Sequence, residues 1–471
     1  MVSCVCTQDG QLLKLRVRVR GHLRGPGDRI GTINDGPLTM DDGQRTMPFE
    51  LTATKLIYGG EALGHHAGRS VLVARVLPGE RVEVEEVRTA KGVVHARPLR
   101  ILQASPQRID PPCPYFGRCG GCHYQHLSPD LQSTCKREIL RETLRRIGSI
   151  DWNEEIPLAA GPPWNYRNQA QIKVARQPGG QVQLGFFESQ SHRVYPIDTC
   201  LIISPRLNAV LGELRRPEWA EGLASLREID LVADDRDEEV MITLQGAAAG
   251  AEGEQVGRNL LERIPGAVCV ALASKNQSRV LGRPALHYSV GGIRYRVSPG
   301  SFFQVSRFLV PELVASVTGE EQGELALDLF AGVGLFSLPL ARRFHRVVAA
   351  EANPIAASDL KANAETNGLP NLRAAGETTY DFLRRFAQAE PDLVVMDPPR
   401  AGVDAASLKL LAALRPRKIH YLSCSPPTLA RDLSFLARYA YQLHSLELFD
   451  LFPQTYHIEA LAKLVRNGHA R

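Results

Sequence analysis

Hydrophobic and polar residues alternate with a period of two in the first patterned stretch of the chain, which runs from about residue 49 to 102. Its segments are ELTATKLI, RSVLVARVL and RVEVEEVRTAKGVVHARPLRIL, separated by turns rich in Gly and Pro. This alternation is typical of strands with one buried face. About five short strands in so short a stretch predict a small β-barrel, for which an oligonucleotide-binding barrel is the natural candidate.

The pattern changes to β-α-β from about residue 296 onward. Apolar runs such as ELALDLF, RVVAAE, DLVVMD and KIHYLSC alternate with helical stretches such as PIAASDLKANAETNG. Strands alternating with helices predict a parallel sheet covered by helices on both faces. We therefore expect a doubly wound α/β domain in the last third of the chain.

The chain of 471 residues is too long for one hydrophobic core. We predict four segments: a basic flexible leader at 1–46, the barrel at 47–102, a central α+β domain at 103–295 and the doubly wound domain at 296–471. The sequence contains no apolar run of the roughly 20 residues that span a bilayer, and the first residues lack the apolar core of a secretory signal. A net charge of +5 is compatible with nucleic-acid binding but also with many other enzymes. We expect a cytoplasmic protein that does not bind membranes.

A glycine turn follows the first strand of the doubly wound domain. The strand ends at Phe330, Gly332 and Gly334 form the turn, and a helix is expected from about Leu335. The next strand ends at Glu351, where such folds place a carboxylate against ribose hydroxyls. Because the third glycine of a dinucleotide fingerprint is missing, S-adenosylmethionine is favoured over a dinucleotide.

Two further strands predict reactive groups at the same edge of the sheet. Asp397 ends DLVVMD and Cys424 ends KIHYLSC. A lone buried cysteine is usually a small apolar filler, but its place beside Asp397 and the glycine turn favours a nucleophile. A nearby cation or helix N-terminus would increase its thiolate fraction above that of an ordinary thiol with a pKa of about 8.5. Glu459, near the last strand, is a candidate general base, although a solvent-facing glutamate is the commoner case.

These motifs together resemble the RNA 5-methyluridine methyltransferase family. Five of them occur in the family's order: SPGSFFQVS, LDLFAGVGLFSLPLA, DPPRAG, YLSCSPPTLARDL and DLFPQTYHIE. The resemblance implies a class I S-adenosylmethionine-dependent fold in which Gln304, Phe330, Glu351 and Asp397 contact the cofactor or the target base and the glycines shape the cofactor turn. It also implies that Cys424 is the nucleophile that attacks carbon 6 of uracil and that Glu459 removes the proton from carbon 5.

The front of the chain also matches this family. Residues 49–102 resemble the TRAM domain, an RNA-binding barrel, and its cationic residues would contact phosphates: Lys55, Arg69, Arg75, Lys91 and Arg97. CPYFGRCGGC and PIDTC resemble the family's four-cysteine [4Fe-4S] site, which implies Cys113, Cys119, Cys122 and Cys200 as ligands. Zinc is the alternative metal, but structural zinc sites usually have two close cysteine pairs.

The resulting hypothesis is an S-adenosylmethionine-dependent enzyme that methylates carbon 5 of a uridine in RNA. We favour 23S ribosomal RNA as the partner, because family members acting on transfer RNA in many bacteria lack the barrel and the cluster, and we expect a monomer. Three alternatives stay open: a transfer-RNA uridine methyltransferase, an amino-group methyltransferase with an acidic-Pro-Pro loop, and an inactive RNA-binding protein. Cys424 and Glu459 argue against the amino-group methyltransferase. Cys424, Glu351 and Asp397 argue against the inactive protein.

Overall fold

The computed structural model describes residues 47–246, 250–274, 278–386 and 390–468. The leader predicted at 1–46 lies outside the described residues. The first unit is a closed barrel in the order β1-β2-β3-β5-β4. Its strands are β1 (Phe49–Leu56), β2 (Glu61–His66), β3 (Arg69–Ala74), β4 (Arg81–Ala90) and β5 (Val93–Gln103).

The barrel closes because β1 pairs with β4 as well as with β2. Every second residue points inward, as the alternating sequence predicts: Leu51 and Ala53 on β1, Val71 and Val73 on β3, and Val82 and Val84 on β4 are buried. The five observed strands agree with the number that the pattern predicts.

A segment with little regular structure connects the barrel to helix α1 (Pro129–Thr143). The Ser128 side chain accepts a hydrogen bond from the backbone N–H of Leu131 and thereby caps the start of this helix. A π-helical turn over Leu144–Gly148 follows, and Ser149 then adopts a left-handed conformation. The helical segment therefore ends at Gly148. A short strand, β6 (Leu158–Ala160), comes next.

The central region is a seven-stranded sheet in the order β13-β12-β11-β10-β7-β8-β9. It is formed by β7 (Gln169–Arg176), β8 (Val182–Phe187), β9 (Val194–Pro196), β10 (Glu228–Ala233), β11 (Val240–Gln245), β12 (Ala267–Ala273) and β13 (Ser278–Gly282), with helices α2 (Pro205–Leu214), α3 (Ala220–Leu223) and α4 (Ala251–Arg263). The hairpin of β14 (Leu286–Val290) and β15 (Ile293–Val297) leads to α5 (Val310–Thr318). This region has the α+β character that the sequence indicates.

The last unit is an eight-stranded sheet in the order β18-β17-β16-β19-β20-β22-β21-β6. Its later strands are β16 (Gly323–Leu329), β17 (Phe344–Ala350), β18 (Leu372–Ala375), β19 (Leu393–Met396), β20 (Lys418–Ser423), β21 (Tyr441–Asp450) and β22 (Glu459–Arg466). The helices are α6 (Ser337–Ala341), α7 (Pro354–Thr366), α8 (Thr379–Arg385), α9 (Ala405–Ala413) and α10 (Pro426–Ala437). None of the helices in the described parts of the chain is long and apolar enough to cross a membrane.

The sheet is parallel from β18 to β20, but β22 runs antiparallel to both of its neighbours. The amino-terminal end of β22 therefore lies at the same edge as the carboxyl end of β20. This arrangement brings the start of the last strand to the edge where ligands meet open α/β sheets. The short strand β6, from the segment that the sequence assigned to the central region, pairs with β21 and extends this sheet.

Candidate active site

The residues singled out in the sequence meet at the carboxyl edge of the parallel strands. Phe330, Glu351 and Asp397 directly follow β16, β17 and β19. Cys424 directly follows β20, and Glu459 begins β22. Because Ser423 pairs with Ala460 across the antiparallel strands, the next positions along, Cys424 and Glu459, lie at the same end of adjacent strands.

The glycine turn has a backbone that favours glycine at two positions. Gly332 has a φ of 55° and Gly334 a φ of 94°. A Cβ atom at Gly334 would lie 2.3 Å from a methyl carbon of Leu338 and 2.5 Å from one of Leu360, so this glycine serves packing. At Gly332 a Cβ atom would meet nothing within 4 Å, which leaves space for a ligand. The helix begins at Ser337, two residues later than expected, because the turn is longer than the sequence suggests.

Glu351 is buried and organises the loops around this turn. Its carboxylate accepts hydrogen bonds from the backbone N–H of Gly332 at 2.8 Å and of Asn353 at 2.7 Å. A cavity of about 270 Å³ opens beside it. Its lining residues are Phe330, Ala350, Glu351, Ala352, Thr378, Thr379, Tyr380, Pro399, Gly402 and Asp404. The sequence motifs did not identify Thr378 to Tyr380 as site residues. These residues come soon after the end of β18, at the same sheet edge, and that position could have indicated them.

Three acidic side chains form the floor of the site. The buried Gln304 side chain donates a hydrogen bond to Asp397 at 3.4 Å. Burial raises the pKa of Asp397 from its ordinary 3.8 to about 7. Burial, followed by the charges of Asp397 and Glu351, also raises the pKa of Asp328 to about 7, although the Ser337 hydroxyl donates to its carboxylate. An adjacent cation would be stabilised by these carboxylates.

Cys424 lies in a more acidic environment than its sequence context suggests. Burial, then the charges of Glu459 and Asp397, raises the pKa of its thiol to about 12, and Arg400 lowers it in part. The expected cation and helix start are both present, because Arg400 is close and α10 begins at Pro426. Burial and the carboxylates outweigh them, so the thiol is protonated at neutral pH.

Glu459 is 4% exposed, so the solvent-facing alternative does not apply to it. Burial and the charge of Asp397 raise the pKa of its carboxyl well above the ordinary value, and Arg400 lowers it in part. A carboxylate with a raised pKa is a stronger base than an ordinary glutamate.

Other residues at the mouth of the site come from distant parts of the chain. The Tyr58 hydroxyl, from the turn between β1 and β2, donates to the carbonyl oxygen of Cys424 at 3.3 Å. Tyr456 places its ring edge-on to Tyr58, with centroids 5.8 Å apart. The guanidinium of Arg400 lies 3.3 Å from Nδ1 of His457. Arg400 and His457 lie in the motifs DPPRAG and DLFPQTYHIE, which indicate no role for either residue, and no motif indicates Tyr58.

Comparison with known proteins places this arrangement in a family. The sequence profile of the tRNA (Uracil-5-)-methyltransferase family matches residues 283–467. An uncharacterized RNA methyltransferase from Aquifex aeolicus is 35% identical over 430 residues, which cover 88% of this chain and 98% of that protein. The 23S rRNA (uracil(1939)-C(5))-methyltransferase RlmD from Alkalilimnicola ehrlichii is 36% identical and covers 89% of this chain and 97% of its own length. The chain belongs to the RNA uracil-5-methyltransferase family.

The family resemblance drawn from the five motifs is therefore confirmed. Among solved structures, the chain shares the fold of the tRNA (uracil-54, C5)-methyltransferase from Pyrococcus abyssi, determined in complex with S-adenosyl-L-homocysteine. The TM-score is 0.69 at 24% sequence identity, covering 88% of this chain and 100% of that chain. The doubly wound class I methyltransferase fold expected from the sequence is thus confirmed.

The four cysteines that the family resemblance implies as cluster ligands are neighbours in space. Burial raises the pKa of Cys119 to about 11 and that of Cys122 to about 12, with smaller contributions from the charges of Cys113 and Cys200. Burial also raises the pKa of Cys200. Within the described residues, however, no three or more His, Cys, Asp or Glu side chains converge in an arrangement that could hold a metal ion.

Most of the basic barrel residues that were expected to contact phosphates bind other groups within the protein. Lys55 forms an ion pair with Glu142, Arg69 with Glu86 and Arg97 with Glu85. The Arg75 guanidinium donates to the carbonyl oxygen of Gly117 at 3.1 Å. Lys91 lies in the turn between β4 and β5 with a φ of 51°. Exposed ion pairs of this kind are weak and can be exchanged for contacts with phosphate.

Proposed function

We propose that this protein transfers a methyl group from S-adenosylmethionine to carbon 5 of a uridine in RNA. The observation that carries the proposal is the placement of Cys424 and Glu459 on adjacent strand ends beside the cavity at Glu351. A thiol and a buried carboxyl so placed can attack one face of a uracil ring and remove its proton, respectively.

The chemistry of the pocket suits S-adenosylmethionine. Glu351 would accept hydrogen bonds from the ribose hydroxyls, the backbone of Gly332 allows close approach, and Phe330 offers a ring at the cavity wall. The carboxyls of Asp328 and Asp397 favour a cationic ligand next to them. When bound, the cofactor supplies an electrophilic methyl group.

Cys424 and Glu459 would act in sequence on the uracil ring. Carbon 5 is a poor nucleophile. Cys424 first loses its thiol proton to solvent, and bond formation between the resulting thiolate sulfur and carbon 6 then moves the electrons of the ring double bond to form an enolate whose carbon 5 is nucleophilic. Arg400 stabilises the thiolate, because it is the nearby cation that lowers the thiol pKa. After carbon 5 has been methylated, the Glu459 carboxylate takes the carbon 5 proton. The electrons of that C–H bond then restore the ring double bond, and the bond between sulfur and carbon 6 breaks.

We propose 23S ribosomal RNA as the substrate. The relative from Alkalilimnicola ehrlichii carries this activity in its name, and the similarity extends over 89% of this chain, including most of the region before the methyltransferase domain. The barrel, the central region and the active site would together hold the RNA, with the target uridine turned out of its stack to reach Cys424. We propose that the protein acts as a monomer in the cytoplasm.

Methyl transfer from labelled cofactor tests the activity directly. Purified protein is incubated with labelled S-adenosylmethionine and either a 23S rRNA transcript or a transfer-RNA pool, and 5-methyluridine is then mapped. We expect label in 23S rRNA at carbon 5 of uridine, and Cys424→Ala should remove all transfer. Cys269→Ala, which changes a buried cysteine of the central sheet, is the matched control and should keep activity. If only transfer RNA is labelled, the proposed 23S rRNA substrate is wrong. If the label is on an amino group, the proposed methylation of carbon 5 is wrong.

We further propose that Cys113, Cys119, Cys122 and Cys200 hold a [4Fe-4S] cluster, which would order the RNA-binding surface. All four are free thiols, and their mutual electrostatic effects show that they are neighbours. The backbone N–H of Gly121 donates to the Cys119 sulfur at 3.4 Å, and such hydrogen bonds are a feature of cluster sites. These side chains would have to rotate toward a common centre on binding.

Anaerobic purification tests the cluster. We expect brown protein with about four irons per chain, which is the content of a four-cysteine cluster. Cys119→Ser should remove the colour, whereas Cys135→Ser, which changes a buried cysteine on α1, should retain it. Colourless protein with stoichiometric zinc would overturn the assignment in favour of the alternative metal.

A further inference from the structure

The loop between Asp450 and Glu459, hereafter the catalytic loop, exchanges hydrogen bonds with helix α1 and with the segment before it, which carries Cys122. We infer that Gln132 and Lys136, both on α1, are positioning residues for the catalytic base. This inference rests on the proposed role of Glu459. It assigns to α1 a function in one chemical step, namely the removal of the carbon 5 proton.

Gln132 and Gln454 are joined by two hydrogen bonds. The Gln132 amide nitrogen donates to the side-chain oxygen of Gln454 at 3.0 Å, and the Gln454 backbone N–H donates to the Gln132 side-chain oxygen at 3.0 Å. The Gln132 amide nitrogen also donates to the carbonyl oxygens of Tyr124 and Leu127, each at 3.1 Å. With both residues buried, every one of these bonds lies out of water, where leaving a partner unsatisfied is costly.

The backbone of Gln454 makes two more contacts with the same segment. Its carbonyl oxygen accepts hydrogen bonds from the N–H groups of His123 at 2.8 Å and Tyr124 at 2.9 Å. Gln454 has a φ of 66°, a left-handed conformation that non-glycine residues rarely adopt without support. The surrounding hydrogen bonds supply that support. The peptide next to Cys122 is thereby connected to the loop that leads into Glu459.

Lys136 fixes the start of the catalytic loop. Its fully buried ammonium group donates to the Asp450 carboxylate at 2.7 Å and to the carbonyl oxygen of Phe452 at 3.1 Å. The buried Tyr166 hydroxyl adds a hydrogen bond to the carbonyl oxygen of Pro453 at 3.1 Å. A buried ion pair is costly to form and strongly destabilising when one member is removed, so it fixes geometry rather than adding general stability.

These contacts predict an effect on one reaction step. The hydrogen bonds of Gln132 and Lys136 go to the catalytic loop and to the turn at 124–127. Cys424 reaches the site on β20, whose position is set by the sheet. Glu459 stands where the catalytic loop joins β22, opposite Phe449, so loosening the loop should disturb its carboxylate more than the Cys424 thiol, and elimination should slow more than addition.

Single-turnover measurements with Gln132→Ala and Lys136→Met test this inference. Each variant is mixed with labelled S-adenosylmethionine and a 23S rRNA transcript, and samples are quenched in denaturant. The denaturant-resistant adduct and the released methylated RNA are then followed separately on a gel. We expect adduct formation within about threefold of wild type and release slowed by about tenfold or more, since a misplacement of about 1 Å can cost on the order of a hundredfold. Labelled adduct should accumulate.

Arg258→Met is the matched control, because it also removes a cation from a buried carboxylate, Glu254, on helix α4 of the central region. The control variant should leave the ratio of the release rate to the addition rate unchanged. A general loss of stability should also leave this ratio unchanged. If Gln132→Ala does not fold, Gln132→Asn, which is one methylene shorter, takes its place. A parallel fall of both steps, or no change in either, refutes the positioning role. Adduct formation by Cys424→Ala would instead refute the proposed function.

Discussion

Two buried glutamates at the same sheet edge have opposite surroundings. Glu351 accepts hydrogen bonds from two backbone N–H groups, which fix the position of its carboxylate. Glu459 lies beside Asp397 in a buried place, and its carboxyl has a pKa well above the ordinary value. From this comparison we propose that one side of the site holds the cofactor and that the other exchanges a proton.

The largest effect is expected from Glu459→Gln. The amide preserves the shape of the side chain but cannot accept the carbon 5 proton, so turnover should fall by about 10²- to 10⁴-fold, the usual contribution of a general base. Labelled protein–RNA adduct should accumulate on a denaturing gel. A fully active variant that leaves no adduct would contradict the proposed role of Glu459 in proton exchange.

Glu351→Gln should affect binding rather than chemistry. Loss of a charge-assisted hydrogen bond of about 1.5–3 kcal/mol should raise the Kd for S-adenosylmethionine by roughly 10- to 100-fold. Isothermal titration calorimetry measures this Kd, and kcat at saturating cofactor should change far less. Glu365→Gln, on an exposed side chain of α7, is the control and should leave the Kd unaltered. A loss confined to kcat would reverse the roles assigned to the two glutamates.

Gly334→Ala and Gly332→Ala distinguish a glycine needed for packing from a glycine that leaves space for the ligand in the cofactor turn. The added methyl group at Gly334 meets Leu338 and Leu360, so the free energy of unfolding should fall by about 1–3 kcal/mol. At Gly332 the methyl group meets open space, so the loss of stability should be smaller and the loss of cofactor affinity larger. Urea unfolding and calorimetric titration of both variants measure the two effects. Equal losses of stability would contradict this distinction.

The smallest effect concerns the pH dependence of stability. The folded protein raises the pKa of Asp397 from 3.8 to about 7, so the protonated carboxyl stabilises the fold below the unfolded value, and this contribution is lost as the pH rises through about 7. Asp397→Asn cannot ionise. Relative to wild type without cofactor, it should gain on the order of 1 kcal/mol in free energy of unfolding between pH 5.5 and pH 8. Thermal unfolding at both values measures the gain, and a loss would show that Asp397 is stabilised as an anion.

Much of the methyltransferase domain could be predicted because its signals are local. Strand ends at Phe330, Glu351, Asp397 and Cys424 follow from apolar runs of a few residues, and the edge rule for parallel sheets places them together. Glu459 was harder to place, since its position depends on the reversed direction of β22. The alternating pattern likewise predicts the five strands of the barrel, but not which of their cations are bound to carboxylates.

The sequence by itself determined the order of the elements, the family and the candidate reactive side chains, because periodicity and motif spacing are properties of short segments. The tertiary structure decided the environment of those side chains. It raised the pKa of Cys424 to about 12 by burying it near Glu459 and Asp397. It also brought Gln132 to Gln454, 322 positions away. Contacts between segments so far apart, and the desolvation they cause, depend on how whole domains pack, which no local pattern encodes.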